Sequence, residues 1–305
     1  MTSIQSILMV RPSGFKTNIQ TLENNFFQNI SNLNENELLE KAQQEFDNLV
    51  NKIRSNGIPI IVFQDDHKHE TPDSLFPNNW ISFHKKNTIA LYPMFAENRR
   101  LERSFELIKF IEKNGVIINN IYDYTEAENN NEFLEGTGSM VLDRINNKAY
   151  ASISERTSEN LVDEFCEDFD YMPIIFKSFQ SHNNKRKLIY HTNVMMCIAS
   201  KYCVICLDAI DDEVEKNKVI QSLNDDKKEI INIDNQQLNS FAGNMIELIF
   251  DNKSYLIMSS SAYSSLSSQQ INNIEKYSQI IYSDVSTIEY CGGGSVRCMI
   301  AEIFN

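Results

Sequence analysis

Apolar positions along the chain alternate between two periods, and the alternation itself repeats. Over 35–54, Leu38, Leu39, Ala42, Phe46, Leu49, Val50 and Ile53 recur at the spacing of one helical face, and Gly57 stands where a helix C-cap is expected. The apolar run Ile58-Pro-Ile-Ile-Val-Phe63 follows at once and reads as a strand. The same order returns over 99–113, where Leu101, Phe105, Ile108 and Ile111 precede Gly115 and Val116-Ile-Ile118. It returns again over 158–169, 212–223 and 267–277, each followed by a strand built on an Ile-Ile pair. The five pairs begin at 60, 117, 174, 230 and 280, so the intervals are 57, 57, 56 and 50. Isoleucine is frequent here, so any one pair means little and the regular spacing is the signal. The pattern predicts one domain over 1–305, made of five α/β modules with no linker between them.

Composition narrows the partners. At 305 residues and 42% hydrophobic, the chain has ample core for a packed globule. A net charge of −14 disfavours nucleic acid or an anionic membrane surface, since both need basic patches. The stretch Met1 to Val10 has no basic start and polar residues interrupt it, so it reads as a first strand and not a signal peptide. No segment approaches the ~18 unbroken apolar residues of a membrane span. Six cysteines are sparse for this length and fit a reduced, cytoplasmic protein. Cys203 and Cys206 have metal-site spacing but lie in an apolar strand, where residues three apart face opposite ways, so they read as core. The run Asp65-Asp-His-Lys-His-Glu70 carries ligand types but reads as a solvated loop.

Chemistry concentrates elsewhere. Three of the nine glycines stand together at Gly292-Gly-Gly294, and four residues later Cys298 opens an apolar strand. That arrangement suits either a buried structural thiol or a presented nucleophile. A nucleophilic cysteine needs a base, and the base needs an orienter. His191 is a polar step within the apolar segment Leu188-Ile-Tyr-His-Thr-Asn-Val194; taken alone it equally suits a core histidine. Glu135, in Phe133-Leu-Glu-Gly-Thr-Gly138, would be costly to bury unpaired, which makes it a candidate orienter. Arg99, Arg156 and Arg297 offer forks for a carboxylate, against the plainer reading of ion pairs.

Taken in order, these residues resemble the guanidine-modifying, or pentein (amidinotransferase-like), superfamily. Met9-Val-Arg-Pro12 is similar to its opening strand and Phe76-Pro-Asn-Asn79 to its first substrate loop. Arg99-Arg-Leu-Glu102 and Ser154-Glu-Arg-Thr157 resemble its carboxylate-holding motifs. Leu134-Glu-Gly136, His191-Thr-Asn193 and Gly292 to Cys298 resemble its catalytic acid, His-x-Asp and nucleophile motifs. Each motif is short; seven in the right order are specific. The resemblance implies a five-module pseudo-symmetric α/β propeller and assigns the nucleophile to Cys298, with Cys291 left without a role. Within the superfamily the chain looks closest to the CtlX-like citrulline-utilisation hydrolases.

One departure bears on substrate. Arginine deiminases and dimethylarginine hydrolases grip a cationic guanidinium with two aspartates, and the matching positions here are Asn79 and Asn193. Buried carboxylates facing a neutral ureido group would be left unpaired, whereas an asparagine can donate to its oxygen and accept from its NH2. The expectation is a citrulline ureidase: Cys298 attacks the ureido carbon, His191 and Glu135 move protons, Arg99, Arg156 and Arg297 hold the α-carboxylate, and residues 12–20 form a lid. No cofactor or metal is expected. The expected partner is a small ureido or guanidino amino acid, with self-association left open. An arginine dihydrolase or deiminase is the nearest alternative, and a non-catalytic binding protein on the same scaffold is the alternative of another class.

Overall fold

A computed structural model describes residues 3–66, 68–182 and 185–304. Among them are five three-stranded sheets and one two-stranded hairpin. Each three-stranded sheet pairs its first two strands antiparallel and its last two parallel, with a helix in the parallel crossover.

The modules follow one another along the chain. In the second, strands Ile81–His84, Thr88–Leu91 and Asn120–Asp123 enclose the helix Phe105–Lys113. The third uses Met140–Asp143, Lys148–Ser152 and Met172–Phe176 around Glu159–Phe169. The fourth uses Met196–Ile198, Tyr202–Ile205 and Glu229–Asn232 around Glu213–Asp225. The fifth uses Ile246–Phe250, Lys253–Ser259 and Gln279–Ser283 around Ser268–Glu275. The first module is closed by both ends of the chain. Ala301–Phe304 pairs antiparallel with Ile4–Arg11, Leu8 opposite Ala301, and the crossover helix Glu35–Ser55 returns to Ile60–Gln64.

Local signals explain these elements. Asn34 accepts from the Glu37 amide at 3.0 Å while Glu37 accepts from the Asn34 amide, and the helix then buries Leu38, Ala42, Phe46, Leu49 and Ile53. Ser267 caps the fifth crossover helix in the same way, and Asp212 caps the fourth by accepting from the Val214 and Glu215 amides. The first strands Met140–Asp143, Met196–Ile198 and Ile246–Phe250 lie side by side, as do Ala301–Phe304 and Ile81–His84, and a narrow cavity of about 80 Å³ is lined by Val141, Asp143, Met196, Ile246 and Glu302.

Three expectations need correction. The run 99–113 is not one helix: Ser104 accepts from the Leu107 amide and starts a new helix, leaving Arg99 in the separate turn Glu97–Arg100. The pair Ile117-Ile118 lies ahead of its strand, which begins at Asn120, and Ile117 is exposed. Cys298 does not open the last strand; it sits in the tight turn Val296–Met299, three residues before Ala301. Cys203 and Cys206 are buried and free, as expected of core residues. The 65–70 run is largely exposed, with His67 outside the described residues.

Candidate active site

Every module enters its first strand through a tight turn, and the five turns bring their side chains to one buried place. Asn79 ends the turn Pro77–Asn79, Glu135 precedes Gly136–Ser139, and His191 precedes Thr192–Met195, which carries Asn193. Asn244 ends the turn at 241–244, and Cys298 lies in Val296–Met299. The Asn193 amide lies 3.5 Å and the Asn244 amide 3.3 Å from the Cys298 sulfur. On the other side, a Cβ added at Gly138 would stand 2.4 Å from Asn79 Nδ2 and 2.7 Å from His191 Nδ1, so Gly138 keeps open the space between those groups. All of these side chains are buried.

His191 Nε2 is 2.8 Å from Glu135 Oε2. Burial raises the Glu135 carboxyl, but Arg156, the His191 hydrogen bond and Arg99 outweigh it and hold the group well below the usual carboxylate range. Burial pushes the imidazole down to about 4, against the opposing pull of Glu135. A neutral ring that donates from Nε2 to an ionised carboxylate leaves Nδ1 as a free acceptor, turned towards Gly138. Glu135 is held in place by the Phe95 amide at 3.0 Å through its other oxygen.

The arginines divide their work. Arg99 forks onto Glu102 at 2.9 and 3.0 Å, and its Nη1 donates to Asn79 Oδ1 at 3.0 Å. With its remaining donors on the Phe76 carbonyl and beside Glu135, Arg99 holds no free fork, which corrects its expected place on a substrate carboxylate. Its bond to Asn79 fixes the amide, leaving Asn79 Nδ2 buried and without a partner among the described residues. Arg156, equally buried, lies over Tyr190, 4.8 Å from the ring centre, with Nε and Nη2 both on Asn24 Oδ1 and Nη1 3.5 Å from Glu135. Arg297 is also corrected: its guanidinium runs away from the thiol to Ile300 O at 2.9 Å and Glu302 at 3.2 Å.

Asn24 belongs to a cover longer than the expected 12–20 segment. Residues 13–34 cross the site without regular structure, burying Phe15, Asn18, Thr21, Asn25 and Phe27. Asn25 Nδ2 reaches the carbonyls of Gly292 and Gly293, and Tyr190 donates to the Gly293 carbonyl at 2.5 Å. Gly293 has φ +63°, and a Cβ there would meet Gln28 and Asn25 at 2.4–2.5 Å. The glycine row thus accommodates the cover as well as the turn to Cys298.

Three residues escaped the sequence reading. Asn244 was detectable, because it stands two residues before its strand, as Asn79 does before its own. Asp73 is buried, takes Asn18 Nδ2 on one oxygen at 2.7 Å and leaves the other without a partner. Neither it nor Asn24 carried a local signal, being ordinary polar residues of loops. No cluster of three or more metal-ligating side chains forms among the described residues, and no described helix is long and apolar enough to cross a membrane.

The family model described as N,N dimethylarginine dimethylhydrolase, eukaryotic, matches residues 11–305. The chain belongs to that family. Solved structures agree on the fold. The N-terminal domain of ArgZ, an arginine dihydrolase of the ornithine–ammonia cycle in cyanobacteria, superposes with a TM-score of 0.73 at 16% identity, covering 98% of each chain. That structure is a cysteine-to-serine mutant bound to substrate, and another of the same domain is covalently bound to a reaction intermediate. Full-length ArgZ gives 0.74 at 15% identity; this chain, covered to 98%, spans 40% of it. A dimethylarginine dimethylaminohydrolase carrying an S-methyl-L-thiocitrulline adduct gives 0.62 at 14% identity, covering 99% of this chain and all of that one. No curated protein matches the sequence. The fold is therefore the pentein fold, shared with guanidine-modifying enzymes.

Proposed function

We propose that this chain is a cysteine hydrolase of ureido C–N bonds and that citrulline is its substrate, giving ornithine, ammonia and carbon dioxide. The observation that carries the reading is Asn79 Nδ2, a buried donor without a partner among the described residues, whose carbonyl end is held by Arg99. A ureido oxygen accepts from such a donor; a guanidinium, all of whose nitrogens carry N–H, does not.

The groups then divide as follows. Cys298 sulfur attacks the ureido carbon, its proton passing to His191 Nδ1. Negative charge gathers on the ureido oxygen, where the Asn79 amide stabilises it by about 3 kcal/mol, the usual size of such a donor's effect. The amine leaves with the proton from His191, and a thiocarbamate remains on sulfur. His191 then takes a proton from water, which cleaves the thiocarbamate to a carbamate that loses carbon dioxide. Arg156 holds the α-carboxylate once Asn24 gives way, and Asp73 Oδ1 accepts from the α-ammonium.

An arginine dihydrolase is the second reading. It is favoured by the likeness to ArgZ and by the ionised Glu135, which a guanidinium could face. Ammonia release from citrulline and from arginine separates the two. The proposal expects kcat/KM at least ~100-fold higher on citrulline, the usual weight of one well-placed donor; comparable turnover of arginine overturns it. Cys298→Ser should abolish ammonia release and the thiocarbamate mass adduct.

A further inference from the structure

Among the described residues, the sulfur of Cys298 has no cation at hydrogen-bonding distance, and its close polar neighbours are two amides. Asn244 is the better fixed of them. Its Oδ1 accepts from the Arg297 amide at 3.1 Å and its Nδ2 donates to the Asn193 carbonyl at 3.0 Å. The first partner can only donate and the second can only accept, so the side chain cannot rotate end for end without losing both. The second N–H of that same nitrogen faces sulfur at 3.3 Å. Asn244 is completely buried and follows Gly243, where a Cβ would stand 2.3 Å from the Val194 carbonyl, so the turn packs directly on the one bearing Asn193.

We infer that Asn244 is a positioning residue that holds the Cys298 sulfur in its ionised, attacking form by donating a hydrogen bond to it. The inference rests on Cys298 being the nucleophile but not on the identity of the substrate. A neutral thiol gains less from this neighbour: it can offer only a weak S–H to Oδ1, at 3.7 Å. Bonds to charged acceptors are the stronger class, so the amide favours sulfur without its proton. The same N–H meets the charge that returns to sulfur as the thiocarbamate breaks down, so it assists that departure as well. His191 is turned to Glu135, and its free nitrogen serves protons; the fixed amide serves the sulfur.

The test is alkylation of Cys298 by iodoacetamide, followed at that peptide by mass spectrometry across a pH series, in the full-length chain and without substrate. Asn244→Asp keeps the shape and the acceptor for the Arg297 amide but replaces the donor facing sulfur with an oxygen. Its alkylation rate is expected to fall about tenfold at pH below the midpoint, the midpoint to move up by about one pH unit, and the plateau rate at high pH to stay unchanged. Asn244→Ser, too short to reach sulfur, should move the midpoint in the same direction by less and carries the test if the aspartate variant does not fold. An unmoved midpoint in a folded variant overturns the inference. A moved midpoint in a protein that releases no ammonia from citrulline would keep this inference and sink the proposed substrate instead.

Discussion

Arg99 donates from Nη1 to Asn79 Oδ1 at 3.0 Å, and that bond decides which end of the amide faces the reacting group. Without it the side chain could present oxygen as readily as nitrogen. Asn79→Asp keeps the partner of Arg99 and replaces the inward donor with a carboxylate oxygen. Citrulline turnover should drop by roughly two to three orders of magnitude, mainly in kcat, because the lost interaction is with charge that develops during attack. Steady-state ammonia assays give the split, and an unchanged kcat would remove Asn79 from the reaction.

The fork of Arg156 is bound by Asn24 from the cover, through the two donors that a carboxylate would take. Arg156→Ala should raise KM for citrulline about tenfold or more, the scale of a lost charged hydrogen bond. The same variant should affect an N-alkylurea lacking the carboxylate less, through the loss of a charge beside Glu135 alone. Asn24→Ala should loosen the cover, speeding alkylation of Cys298 about fivefold, in line with one ordinary hydrogen bond.

The buried neutral imidazole makes stability depend on pH. His191 is held down to about 4 when folded, against an ordinary 6.5. The unfolded chain therefore binds more protons between those values, and stability falls as pH drops through that window. Above 6.5 the contribution is fully present. By pH 5 the loss from this group alone should reach about 2 kcal/mol. Urea denaturation of wild type and His191→Asn at pH 7.5 and 5 measures it as the difference between their slopes. Glu135, held below its ordinary range, adds a loss of the same sign at lower pH.

Gly138 borders both Asn79 and His191, and its backbone is not in the left-handed region. Gly138→Ala should thus fold, but its methyl group would occupy the space between the donor and the base. Activity should fall at least ~100-fold, as for displacement of the reacting groups by about an ångström. A melting temperature within a few degrees of wild type would assign that loss to the site.

Much of this was legible in the sequence because the repeat is written in hydrophobic spacing. Four of the five Ile-Ile pairs do lie in the third strand of their modules; the pair at 117 does not, because its strand is short, exposed and built on Asn120-Ile-Tyr-Asp123. The proximity of His191 and Glu135 followed from the cost of burying a carboxylate alone. The directions of the arginines did not follow, since motif order says nothing about rotamers: Arg99 turns to Glu102 and Arg297 to Glu302. Asp73 and Asn24 lie in segments without periodicity, where only tertiary packing shows which polar side chain is buried.

The pairing of Ala301–Phe304 with Ile4–Arg11 has a consequence for the history of each molecule. The thiol lies three residues from the strand that completes the circle, while its neighbours arrive from four other modules. No fragment holds a partial version of the reaction centre to be improved by the rest. A chain nicked or frayed at this seam loses its chemistry along with its closure, so a reactive cysteine is assembled only in a molecule that has finished folding.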